Sequence, residues 1–158
     1  MFLALQGLRL SRGIQLMRAL LDVNVLIALL DPDHASHHTA MTWFVKHAEE
    51  GWASCPITQN GCVRIMSNPS YPNSLPVQAV VTRLAEACRA EVHEFWSDEV
   101  SLLDPEVVDS TRIHGPRQLT DIYLLALAVR HRGRFVTFDS GIPLAAVRNA
   151  RPPHLVVL

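Results

Sequence analysis

The sequence predicts a three-layer α/β/α domain built on a short, mostly parallel sheet of four or five strands. Three observations carry that expectation. Short apolar runs alternate with helix-length segments, the pattern of a parallel sheet covered on both faces. Two of those runs end in an aspartate: Ala19-Leu20-Leu21 in Asp22, and Phe135-Val136-Thr137-Phe138 in Asp139. A third, Asp121, opens a long apolar helix at Leu119-Thr120-Asp121-Ile122. In an open parallel sheet, ligands bind beyond the carboxyl ends of strands where strand order reverses. If the first and fourth strands adjoin there, the three carboxylates share one small volume. Like charges so placed resist ionisation unless a cation compensates them. A hard divalent ion would do so, since Mg²⁺ takes a few carboxylates, several waters and substrate phosphates.

Taken in order, strand one covers Arg18 to Leu21. A short helix follows at about Asn24 to Leu30, then a longer one from Ser36 to Glu50, stopped by Gly51. Trp52 to Cys55 reads as strand two, ended by Pro56, and Thr58 as the cap of a helix over Gln59 to Met66. The turn-rich run Ser67 to Asn73 leads to Pro76, which suits the first turn of a helix reaching about Arg89. Val92 to Trp96 is a strand, and Ser97 to Gln118 mixes short helical pieces with a Gly-Pro loop. A buried helix spans about Thr120 to Arg132 and is ended by Gly133. Phe135 to Phe138, a short helix at Ile142 to Val147, and a strand at His154 to Leu158 complete the chain.

With 158 residues, the chain suffices for one domain with a real core, residues 17–158. Residues 1–16 contain no acid and look unlike the rest. Gln6 and Gly7 interrupt what a secretory signal would need to keep apolar, so the segment reads as an upstream-start extension before Met17. An apolar content of 49% against 18% charged excludes disorder. The apolar stretch Ile122 to Val129 is too short to cross a bilayer. A net charge of −1 denies the chain the overall basic field of a passive nucleic-acid binder. Cys55, Cys62 and Cys88 are odd in number and lack C-x-x-C spacing, so they read as buried thiols in a reducing cytoplasm. Lys46 is the sole lysine and lies within an early helix, badly placed to hold a phosphoryl group, and no phosphate-cradling glycine loop is present. Phosphoryl-carrier and nucleotide-fold readings fall accordingly.

Each aspartate alone has an ordinary explanation as a helix cap, a turn residue or a first-turn acid. Their combination, with Thr137-Phe138-Asp139 after the fourth strand, resembles the PIN-domain nucleases. More narrowly it resembles the VapC toxins of bacterial type II toxin–antitoxin pairs. Met17 to Leu26 is similar to their amino terminus. Pro56-Ile57-Thr58-Gln59-Asn60-Gly61-Cys62-Val63-Arg64-Ile65 and Leu119 to Leu124 are similar to the interior of a mycobacterial-type subgroup. The resemblance covers nearly everything from Met17 onward. It implies a cytoplasmic endoribonuclease in which Asp22, Asp121 and Asp139 hold Mg²⁺ or Mn²⁺. Asn24, Gln59 and Thr137 would support them from behind, and a metal-activated water would cut RNA. It further implies a small VapB-type antitoxin as partner, a homodimer, and no membrane.

One position departs from the family pattern. PIN nucleases generally carry a glutamate early in the helix after strand two, where this chain has Gln59, an acceptor without charge. The rival expectation is therefore a PIN-like module that binds RNA or a partner with weak or no turnover. His34, His37, His38 and His47 lack a nearby cysteine and read as helix-surface residues, not a zinc site. Arg112, His114, Arg117, Arg130, His131, Arg132 and Arg134 are the chain's basic concentration; Arg112 and Arg117, on the loop leading to Asp121, are the candidates for RNA phosphate contact. Trp43, Trp52 and Trp96 read as core or partner surface.

Overall fold

A computed structural model describes residues 16–158. The extension expected over residues 1–16 lies outside the described residues except for Leu16. Five parallel strands form one sheet in the order β3-β2-β1-β4-β5: β1 (Ala19–Leu21), β2 (Trp52–Ser54), β3 (His93–Phe95), β4 (Arg134–Thr137) and β5 (Leu155–Val157). The chain winds outward from β1 through β2 to β3, then returns to the other side of β1 as β4. The reversal falls between β1 and β4, paired in register from Ala19↔Arg134 to Leu21↔Val136.

Side chains alternate across the strands, and each face has its own apolar core. Ala19, Leu21, Trp52 and Val136 face one layer, formed by α1 (Val23–Leu30), α2 (His37–Lys46), α3 (Pro56–Met66) and α4 (Val77–Cys88). Leu20, Ala53 and Phe135 face the other, dominated by α5 (Leu119–Arg130). Within α5, Ile122, Leu124, Leu125 and Leu127 are fully buried, each contributing on the order of 1.5–3 kcal/mol by leaving water. The apolar α5 segment anchors Asp121 to the sheet.

Several boundaries differ from the sequence reading, each for a local reason. Helix α3 starts at Pro56, not Gln59. Cys55 is the capping residue, and Thr58 sits a turn inside, its hydroxyl accepting from the Cys55 N–H at 2.9 Å. Proline favours the first helical position because its missing N–H would be unpaired there anyway. The second helix ends at Lys46, and Ala48–Glu50 continues as a 3₁₀ turn. The helix expected over Ile142 to Val147 is a single 3₁₀ turn, Leu144–Ala146. Gly133 does not supply the left-handed residue ending α5; Arg132 does, at φ 56°. The Gly133 N–H bonds to the Ala128 carbonyl at 2.8 Å and the Arg132 N–H to Val129 at 3.0 Å, the paired bonds of a Schellman ending. Glycine is required at 133 for space, since a Cβ would lie 2.5 Å from the Arg18 carbonyl oxygen. Among the described residues, no helix is long and apolar enough to cross a membrane.

Candidate active site

Asp22 follows β1 directly and caps α1. Its Oδ1 accepts from the Val23 N–H at 2.7 Å, and its Oδ2 from the Thr137 hydroxyl at 2.7 Å. Thr137 ends β4, the neighbouring strand, so this bond spans the topological switch. The same hydroxyl oxygen accepts from the Asp139 N–H at 3.1 Å. One fully buried threonine thus fixes both Asp22 and the backbone that carries Asp139. Asp139 in turn accepts from the Gly141 N–H through Oδ1 at 2.7 Å. Asp121 stands in the first turn of α5, half-buried beside them.

The three carboxylates act on one another electrostatically. Burial raises the Asp22 carboxyl above its ordinary range, and Asp139 adds to the rise against the opposing bonds from Thr137 and Val23. Asp121 is pushed up to about 6, first by burial and then by the negative charges of Asp22 and Asp139. Among the described residues, no three His, Cys, Asp or Glu side chains are grouped closely enough to grip a metal as they stand. The donors are nevertheless of the right chemistry for a hard cation, all oxygen and all acidic.

The other candidate residues are distributed unevenly. Thr137 lies at the centre of the site, as described. Asn24 is exposed in the first turn of α1, and among the described residues no hydrogen bond joins it to the three acids. Gln59 turns elsewhere: its Nε2 donates to the Ser54 Oγ at 2.9 Å. Ser54 shares with Trp52 the sheet face opposite α5, so this bond draws the amide away from Asp121. Arg112 pairs loosely with Asp109 at 3.4 Å in an exposed 3₁₀ turn. Arg117 is exposed in the turn Pro116–Gln118 that leads into α5. The remaining basic residues scatter. Arg134 pairs with Glu50 and lies over the Trp43 ring, and His131 stacks on Trp96 with its Nε2 2.9 Å from Glu99. The early histidines have backbone partners, His37 bonding the Ala28 carbonyl and His34 the Ser36 N–H.

Gln118 was not singled out by the sequence. Its side chain accepts from the His114 N–H at 3.0 Å and donates to the Gly141 carbonyl at 2.9 Å. No local pattern announces a bond that spans twenty-three positions.

A match to the PIN domain family covers residues 19–148. The chain belongs to the PIN-domain family. It is 56% identical over 142 residues to Ribonuclease VapC44 of Mycobacterium tuberculosis, covering 90% of this chain and all of that protein. Ribonuclease VapC39 of the same organism is 43% identical over 127 residues, covering 80% of this chain and 91% of that protein. Ribonuclease VapC38 is 43% identical over 142 residues, covering 89% of this chain and 99% of that protein. In this PIN domain the site aspartates stand at the ends of β1 and β4 and at the start of α5.

Proposed function

We propose that this PIN domain is a divalent-metal-dependent endoribonuclease, the toxin of a VapBC-type toxin–antitoxin pair. The observation that carries the reading is the trio of mutually repelling carboxylates at the β1/β4 switch, with Asp121 raised to about 6. Acids near enough to oppose one another's ionisation suit a site that receives a positive charge. The ribonuclease names of relatives at 43–56% identity supply the substrate class.

Asp22, Asp121 and Asp139 would hold the ion, Mg²⁺ with Mn²⁺ as substitute. When bound, such an ion supplies an acidified water and offsets negative charge developing on a phosphate. The protein's own part is positioning. Asp22 is fixed at both oxygens, by Val23 and Thr137, and presents one rigid side of the site. Thr137 passes that rigidity to Asp139 through its backbone N–H. Asp121 and the exposed Asp139 leave the opposite side open to an RNA backbone. Asn24, exposed at the rim, would orient substrate or water, and Arg117 would meet a neighbouring phosphate. Arg112 would join it on exchanging its loose bond to Asp109. With Gln59 held by Ser54, the pocket offers three formal charges, which suits one ion better than two. A cytoplasmic setting, a VapB-type antitoxin covering the groove and a homodimer complete the reading, on the strength of the family.

Metal-titrated RNA cleavage by the purified protein, with Asp22→Asn alongside, tests it. Cleavage that requires Mg²⁺ or Mn²⁺ and disappears in a folded variant is expected. Full activity of Asp22→Asn would overturn the site. Metal-dependent RNA binding without cleavage would favour the rival, a PIN-like binding module.

A further inference from the structure

The two halves of the site are carried by separate pieces of chain. Asp121 rides on α5, and Asp139 on the turn after β4. Thr137 ties Asp139 to Asp22 but, among the described residues, makes no hydrogen bond to α5. Among the described residues, one hydrogen bond crosses between 114–121 and 138–142: the Gln118 amide N–H to the Gly141 carbonyl, at 2.9 Å. Gly141 is held at both ends, since its N–H binds the Asp139 carboxylate at 2.7 Å. Gln118 is anchored too, its oxygen taking the His114 N–H at 3.0 Å. It is also the residue from which α5 starts, three positions before Asp121.

We propose that Gln118 is a positioning residue that sets the spacing of Asp121 and Asp139 and thereby the affinity of the site for a divalent cation. The inference rests on the metal reading above. Both carboxylates repel, so the turn carrying Asp139 is under steady outward push. A neutral hydrogen bond worth on the order of 1 kcal/mol opposes that push. Without it nothing but packing sets the distance from Asp121 to the Asp139 that Thr137 holds beside Asp22, and an entering ion must do the work of drawing the acids together. A glutamine suits this task, because its one planar amide accepts on one side and donates on the other. Asparagine carries the same groups on an arm one methylene shorter and would not span both partners.

The test is a calorimetric Mn²⁺ titration of wild type, Gln118→Ala and Gln118→Asn at one pH, paired with the Mn²⁺ dependence of RNA cleavage. Both variants should bind Mn²⁺ about five- to tenfold more weakly, the range corresponding to ~1–1.4 kcal/mol. The cleavage midpoint should move to higher Mn²⁺ by the same factor, while the rate at saturating Mn²⁺ returns close to wild type. A general loss of structure would lower the saturating rate and the thermal midpoint instead. That outcome in both variants would overturn the inference in favour of a structural role. So would unchanged Mn²⁺ affinity in variants whose wild-type parent binds the ion. A wild type that binds no Mn²⁺ would instead overturn the metal reading itself, which keeps the two failures apart.

Discussion

Replacing Asp121 with asparagine should stabilise the metal-free protein while destroying its response to metal. Asp121 lies at about 6 in the folded chain against an ordinary 3.8, through burial and its two acidic neighbours. As pH rises from 3.8, the unfolded carboxyl releases its proton first, so the folded state loses ground until pH passes about 6. A rise of this size is worth at most ~3 kcal/mol at pH 7. Asp121 is only half-buried, and solvent screening brings that nearer ~1.5–2 kcal/mol. The asparagine forfeits a favourable charge in the first turn of α5, about 0.3–1 kcal/mol. Repulsion outweighs the helix dipole, leaving a net gain of ~1 kcal/mol. For a chain of this length that is roughly 2–4 °C in thermal midpoint. Melting in EDTA across pH 4 to 8 would show Asp121→Asn level with wild type near pH 4 and ahead by that margin at pH 7. Mn²⁺ should reverse the order, since saturation to 100 times Kd adds about 2.7 kcal/mol to a binding-competent chain. A gap independent of pH, or a wild type ahead at pH 7 in EDTA, would refute the electrostatic account.

The remaining expectations concern positions around the trio. Thr137→Val leaves Asp22 Oδ2 and the Asp139 N–H without their shared partner, a loss of about 1–3 kcal/mol; chemical denaturation should show it, together with weaker Mn²⁺ binding. Gln59→Glu removes the donor to Ser54 and adds a negative charge to this end of the sheet; Mn²⁺ affinity should rise by tenfold or so, whereas unchanged affinity would show that residue 59 stays with Ser54. A chain beginning at Met17 should fold and cut RNA like the full one, because the Met17 carbonyl that receives Arg134 Nε at 3.0 Å is kept; loss of solubility or activity would show that residues 1–16 contribute.

The central strands and the three aspartates were legible because burial on both faces leaves short apolar runs in β1 and β4, and a carboxylate at the end of such a run stands out. Thr137 was legible through the Thr137-Phe138-Asp139 pattern that the resemblance singled out. The short helical pieces between Ser97 and Gln118 were legible, as the turns Ser110–Arg112 and Pro116–Gln118 show, but the path of that region was not. Its course depends on scattered long-range ties, such as Arg148 to the Pro105 carbonyl and the Val108↔Val147 bridge. The end of α5 was misjudged because glycine serves two needs, a left-handed backbone and absence of a side chain. At 133 only the second applies. Gln118 escaped because its partners, His114 and Gly141, lie on both sides of a helix and a strand.

The glutamine at position 59 now has a physical setting beyond its missing charge. Burial lowers His93 to about 4, so its imidazole is neutral at pH 7. A neutral imidazole bonded to the Cys88 backbone carbonyl is a donor on that side and an acceptor on the other. Ser54 Oγ lies 2.8 Å from the His93 Nε2, and its hydroxyl therefore donates there. The serine oxygen is then left to accept, and the Gln59 amide supplies the proton. Each member donates to the next, from Gln59 through Ser54 and His93 to the Cys88 carbonyl. A carboxylate at 59 has no proton to give at neutral pH. It would have to reverse the whole chain or leave it, and a freed carboxylate would then be available to the proposed cation site. Amide and acid at this one position thus imply different partners. Glutamine completes a half-buried polar chain beside β2 and β3, and glutamate is expected to serve the proposed cation site instead.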